Sequence, residues 1–271
     1  MSTELNADPQ TAGVAEWQPP TPPTDLVFDD GEPMESNRHR IAMNTLIRSL
    51  NQAWDARRNF FAGGNMFIYF SSTQARNRDF RGPDFFVVLD VDGERPRQGW
   101  VVWEEEGRYP DVIVELLSAS TAGDDRGIKK SLYERTFKTP EYFLFDPFEP
   151  AVLEGWRLGA DLRYQPLTPN ERGWLWCEAL SLWLGTWQGT LDRESAVWLR
   201  FYDETGRLVL LPEEVARQQA EQAEQQAQQA QQQAQQRAEQ AEQQAERERR
   251  HREVLARRLR ALGFNPDDLM E

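Results

Sequence analysis

The chain has 271 residues, with 31 basic against 45 acidic side chains and a net charge of −14. That length holds one sizeable core with extensions, and the acidity counts against broad, sequence-independent nucleic-acid binding, which rests on Lys and Arg neutralising phosphates. The single cysteine, Cys177, excludes an internal disulfide. With no signal peptide and no apolar run of about 20 residues, the expectation is a cytoplasmic protein with no membrane partner.

Residues 1–24 are polar and proline-rich ("EWQPPTPPTD") and read as a disordered arm. "ESNRHRIAMNTLIRSLNQAWDA" places Ile41, Leu46, Ile47, Leu50 and Trp54 mostly on one face, which predicts a helix. "GGNMFIYFSS" then predicts a strand, and "GPDFFVVLDV" a second one with Pro83 at its start. "YPDVIVELLS" is almost continuously apolar and predicts a central strand. "DDRGIKKSLYERTF" begins with aspartates and carries Ile128, Leu132 and Tyr133 at helical spacing, and "EYFLFDP" is a fourth strand. The order is helix, three strands, helix, strand. From Ala151 to about Leu211 the chain is Trp-rich and strand-like, with a hairpin in "YDETGRLV", and reads as an extension of the sheet.

The last segment has a different composition. Alanine recurs at 216, 220, 223, 227, 230, 234, 238, 241 and 245 among Gln, Glu and Arg, and Leu255, Leu259 and Leu262 continue the phase. This heptad seam predicts a helix over 213–262, roughly 75 Å long, ended by Gly263 and Pro266. It is either a homo-oligomer contact or a solitary solvated helix.

Two features point to chemistry. Glu115 lies within the apolar strand, where an unpaired carboxylate costs several kcal/mol. If the strand opened by Asp84 is its neighbour, Asp84 and Glu115 converge, and a hard divalent cation relieves their repulsion. The second feature is compositional: of 31 basic residues only Lys129, Lys130 and Lys138 are lysine, all within ten residues, and the two cations are not interchangeable at functional sites.

Pro83-Asp84 followed by Glu115-Leu116-Leu117 resembles the PD-(D/E)XK nuclease superfamily, with Leu117 at the lysine position. The stretch "PDVIVELLSASTAGDDRGIKKSLYERTFKTPEYFLFDP" is similar to its Uma-type branch, in which the lysine comes from the following helix. Glu115, Ser118, Ser120-Thr121, Asp125, Lys129, Tyr133, Glu141-Tyr142 and Asp146-Pro147 match that pattern. "MESNRHR", "GGNMFIYF" and the alanine- and glutamine-rich tail are also typical of the branch.

The resemblance implies an α/β, restriction-endonuclease-like core with a mixed central sheet over 25–212, a long helix over 213–262 and a short tail over 263–271. It implies a metal-dependent endonuclease acting on nucleic acid, most naturally DNA. Asp84 and Glu115 would hold Mg²⁺ or Mn²⁺, and Lys129 would orient or deprotonate the attacking water and stabilise charge. Arg76, Arg78 and Arg81 are candidate phosphate contacts, and Glu35 and His39 candidate accessory groups. Plainer roles stand beside these. Asp84 can cap a turn, and Lys129 can pair with Asp125 four residues earlier. Lys130 can be solvated, His39 can be an ordinary helix-face histidine, Glu35 can serve the helix dipole, and the arginines can be a solvated loop. The competing function is an inactive nuclease-like head that presents a coiled-coil tail to partners.

Overall fold

The computed structural model describes residues 21–28, 36–77 and 81–261. Most of the expected arm, Glu35, Arg78 and the segment from Leu262 onward lie outside them. The chain divides into two compact units, Met1–Val209 and Leu210–Glu271.

In the first unit, Ser36 caps α1 (Asn37–Ala53) by accepting the His39 N–H, and Ile41, Leu46 and Leu50 are buried along one face. A six-stranded sheet follows, in the order β1-β3-β5-β6-β7-β8. Its strands are β1 (Phe60–Gly63), β3 (Phe85–Leu89), β5 (Val112–Leu116), β6 (Glu141–Phe145), β7 (Leu153–Leu158) and β8 (Tyr164–Pro166). Only β5 and β6 are parallel, with Glu115 opposite Leu144; every other neighbour pair is antiparallel. The sheet is therefore mixed, as expected.

A parallel pair needs a crossover, and a composite helix over 122–137 supplies it. Its pieces are α3 (Ala122–Asp124), a π turn (Asp125–Lys129), α4 (Lys130–Leu132) and a second π turn (Tyr133–Phe137). Lys138 ends it in the left-handed conformation, φ 54°. The π turns correct one expectation. In an α-helix, residues four apart drift about 40° around the axis, whereas the wider i→i+5 turn keeps them nearly in line. Asp125, Tyr133 and Phe137 accordingly face inward and are buried, while Ile128, expected on the apolar face, is 64% exposed.

A second correction concerns the first strand. The sheet strand β1 ends on the first residue of the double glycine, pairing Phe60 with Leu89 and Gly63 with Phe86. "MFIYF" contributes only β2 (Ile68–Tyr69), which pairs in parallel with β4 (Trp100–Val101). Between them Gly64 lies against the Asp84 carbonyl and the Met43 side chain, and Asn65 N–H bonds Pro83 O at 2.9 Å. That crossing leaves no room for a regular ladder. A short α2 (Ser72–Arg76) follows.

Side chains alternate along β5. Val112, Val114 and Leu116 join a core with α1 and with a three-stranded sheet formed by β9 (Leu175–Cys177), β10 (Leu182–Leu191) and β11 (Glu194–Tyr202). Ile113 and Leu117 join the opposite core, under the composite helix, with Tyr133, Phe137 and Tyr142. Glu115 shares this second face. The second unit contains α5 (Pro212–Ala261), a 50-residue helix with no buried side chain. Among the described residues no helix is long and apolar enough to cross a membrane.

Candidate active site

β3 and β5 are antiparallel neighbours with Phe85 opposite Val114, so Asp84, just ahead of β3, meets the end of β5. The two acids are locked to each other's strands. Asp84 N–H donates to Glu115 Oε2 at 3.3 Å, and Leu116 N–H donates to Asp84 Oδ2 at 2.7 Å. Asp84 thus bridges strands rather than capping a turn.

Glu115 is 0% exposed. Its Oε1 accepts a hydrogen bond from the Tyr133 hydroxyl at 2.7 Å and lies 3.3 Å from Lys129 Nζ. Lys129 Nζ is also 2.7 Å from Asp125 Oδ1, and the Asp125 carbonyl accepts the Tyr142 hydroxyl at 2.9 Å. The π turns make this possible: Asp125, Lys129 and Tyr133 stand in line facing the strand. Asp84 and Lys129 keep partial exposure, so the site opens to solvent on their side.

The electrostatics follow from burial. Desolvation pushes the Glu115 carboxyl up to about 8 against the pull of Lys129, with Asp84 and Asp125 adding to the rise. Burial also raises Asp84 to about 6, opposed by the Leu116 N–H and Lys129. For Lys129 burial works against the charge, but Glu115, Asp125 and Asp84 outweigh it and hold the amine above the ordinary lysine value. Burial raises the Tyr133 phenol well above its usual value, and the Glu115 charge adds to this, so the hydroxyl stays a donor. Near neutral pH the two acids therefore share a retained proton beside an ammonium group.

Asp84 and Glu115 offer hard oxygen donors side by side, a set that suits a cation able to displace that proton. Among the described residues no group of three or more His, Cys, Asp or Glu side chains converges on a metal position. Two carboxylates suffice for Mg²⁺, which keeps several of its waters.

The other expected residues are distributed unevenly. His39 is 2% exposed; its Nε2 donates to Leu117 O at 3.2 Å, and its Nδ1 is hydrogen-bonded with the Ser36 hydroxyl at 2.8 Å. It thus abuts the end of β5, two residues from Glu115. Leu117, at the position where the superfamily carries lysine, is 1% exposed and packed in the core. Arg76 is exposed at the end of α2 and Arg81 is half-buried, its carbonyl accepting the Ile68 N–H. Glu35 and Arg78 lie outside the described residues. Lys130 is not simply solvated: its ammonium lies 3.5 Å from the Trp156 ring centroid, and burial lowers its pKa.

Sequence reading paired Asp125 with Lys129, and that pair forms; it did not place Asp125 or Tyr133 among the site residues, although Tyr133 bonds Glu115 and Asp125 holds Lys129 beside it. Their spacing of four on either side of Lys129 was the available signal.

No curated protein matches the chain significantly. Among solved structures, a putative nuclease belonging to DUF820 from Anabaena variabilis ATCC 29413 is similar at 16% identity, over 59% of this chain and 86% of that chain, with a TM-score of 0.39. The family model described as "Uma2: Putative restriction endonuclease" matches residues 15–190, well over half of the chain, and the protein belongs to the Uma2 family.

Proposed function

We propose that the protein is a metal-dependent nuclease whose reacting centre is Asp84, Glu115 and Lys129. The observation that carries this reading is the Lys129 ammonium, 3.3 Å from Glu115 Oε1. It reaches the acid pair from the crossover helix, while the strand position that would otherwise supply a lysine is filled by Leu117. Family membership supports nucleic acid as the substrate.

Asp84 and Glu115 would hold Mg²⁺ or Mn²⁺, which when bound polarises a phosphate oxygen and lowers the pKa of water. The chain's own residues do the rest. Tyr133 fixes Glu115 by donating to Oε1, leaving the carboxylate oriented by a neutral donor. Asp125 holds Lys129 from the other side, so the ammonium stands beside the acids in one place. With Glu115, Asp125 and Asp84 beside it holding its pKa above the ordinary lysine value, Lys129 acts by stabilising negative charge on the phosphoryl oxygens rather than by taking a proton.

The test is cleavage of supercoiled plasmid, single-stranded DNA and structured RNA with Mg²⁺ or Mn²⁺. Lys129→Ala should abolish cleavage and leave metal affinity nearly intact, whereas Asp84→Asn and Glu115→Gln should lose both. Lys130→Ala should remain active, since its ammonium is engaged by Trp156. Activity indifferent to all of these would mark a contaminant. A wild type that neither cleaves nor binds metal would instead support the inactive, partner-presenting head.

A further inference from the structure

The nuclease reading raises a problem that α5 answers. Residues 1–211 carry 22 basic against 33 acidic side chains, so this part of the chain repels a polyanion. α5 is neutral overall, with nine arginines and nine glutamates, but the charges are segregated. Residues 212–245 hold two arginines against six glutamates, whereas 246–261 hold seven arginines against three glutamates. The stability of a helix does not require this. The macrodipole favours cations only within about the last turn, and the arginines begin at Arg247, four turns from the end of α5.

Nor are the arginines consumed by partners. Arg249 pairs with Glu253 at 3.6 Å and Arg250 with Glu246; among the described residues the other five form no ion pair. All seven are exposed. At 100° per residue, Arg247, Arg250, Arg257 and Arg258 share a sector of about 100° that excludes Leu255 and Leu259. Their span is about 17 Å, a length over which duplex DNA carries about ten phosphate charges.

We infer that the arginine-rich end of α5, residues 247–260, is a tether for nucleic acid that grips phosphates without reading sequence. This rests on the proposed function for its choice of polyanion, but it concerns binding and not the chemistry of the acids. The helix surface supplies the counter-charge that the acidic part of the chain lacks, and the leucine-bearing sector stays available for other contacts.

The test uses the full chain without divalent metal and follows the anisotropy of a labelled DNA duplex and of a labelled single strand as salt is raised. If four phosphates are contacted, duplex affinity should fall by about 100-fold between about 50 and about 200 mM salt. Replacing Arg247, Arg250, Arg257 and Arg258 together by Gln, which preserves helix propensity, should weaken binding at least tenfold at low salt. It should also reduce the log–log slope by about 3.6. A control with Arg217→Gln and Arg237→Gln should match the wild type, and circular dichroism should report equal helix in all three proteins. Equal affinity and slope in the fourfold variant would overturn the inference, as would binding to phosphatidylserine vesicles with none to DNA. Plasmid cleavage with Mg²⁺ is scored separately on the same proteins: a wild type that binds through these arginines but never cleaves refutes the nuclease reading alone.

Discussion

Ionising Glu115 without a metal is costly, and the cost should be visible as pH-dependent stability. The folded carboxyl titrates at about 8 instead of 4.5. The native state therefore keeps a proton that the unfolded chain has released, and stability must fall as pH rises from about 4.5 to about 8. At about 1.4 kcal/mol per pH unit the loss is roughly 5 kcal/mol, a third or more of the stability of an ordinary domain. Asp84, raised to about 6, shares that proton and acts in the same direction over the lower part of the range. Lys129 adds no slope there, because a raised lysine retains its full stabilising effect below its ordinary value of 10.5. Glu115→Gln is the perturbation. It cannot ionise, but its amide cannot satisfy both Tyr133 and the Asp84 N–H as the carboxyl does, a loss of about 1–2 kcal/mol. The variant should be the less stable protein near pH 5 and the more stable one near pH 8. Urea midpoints in a chelator would give the two curves, and Mg²⁺ at pH 8 should restore the wild type alone. Parallel curves, or a wild type whose stability rises between pH 5 and pH 8, would refute the reasoning.

Gly64→Ala should impair both folding and metal binding: its new Cβ would strike the Asp84 carbonyl and Met43, costing about 1–3 kcal/mol and lowering Mg²⁺ affinity at least tenfold by calorimetry. Tyr133→Phe removes a donor from Glu115, so metal binding near neutral pH should weaken and the pH optimum for cleavage should move upward. Self-association is expected through the alanine and leucine seam of α5, whose residues are unburied in the single chain, so Leu259→Glu should lower the mass seen by sedimentation; an unchanged mass would discard the seam. A chain ending at Leu211 should keep cooperative unfolding and near-UV signal, because nine of the ten tryptophans lie between Trp54 and Trp198.

The acid pair was legible because strand alternation and a buried glutamate are linear signals: Pro83-Asp84 opens one apolar run and Glu115 sits inside the next. What remained hidden depended on backbone forms that composition does not announce. The two π turns move Ile128 outward and bring Asp125, Lys129 and Tyr133 into line, yet nothing in "DRGIK" or "YERTF" marks a π turn apart from an α turn. The β10–β11 hairpin turns at Asp192 and Arg193, both left-handed at φ 48° and 68°, without the glycine or asparagine that usually marks such a turn. The turn at Asp203–Arg207, by contrast, carries Gly206 at φ 81° and was readable. β1 was missed for a different reason: four residues that end inside a double glycine give too short a period to register, and its place in the sheet is fixed by pairing with β3.

Because the ammonium reaches Glu115 from the crossover helix, nothing obliges the residue two positions after the acid to be basic, and Leu117 serves packing instead. The linear distance from acid to lysine, fourteen residues here, is set by the loop over 117–121 and the first turns of the helix. An insertion in that loop would lengthen the distance without displacing the ammonium. A genome search keyed to acid, any residue, lysine on one strand therefore passes over this chain. A search template has to be spatial: a Pro-Asp at one strand start, a buried glutamate on the antiparallel neighbour, and Asp, Lys and Tyr spaced by four on the helix that leads to the parallel strand.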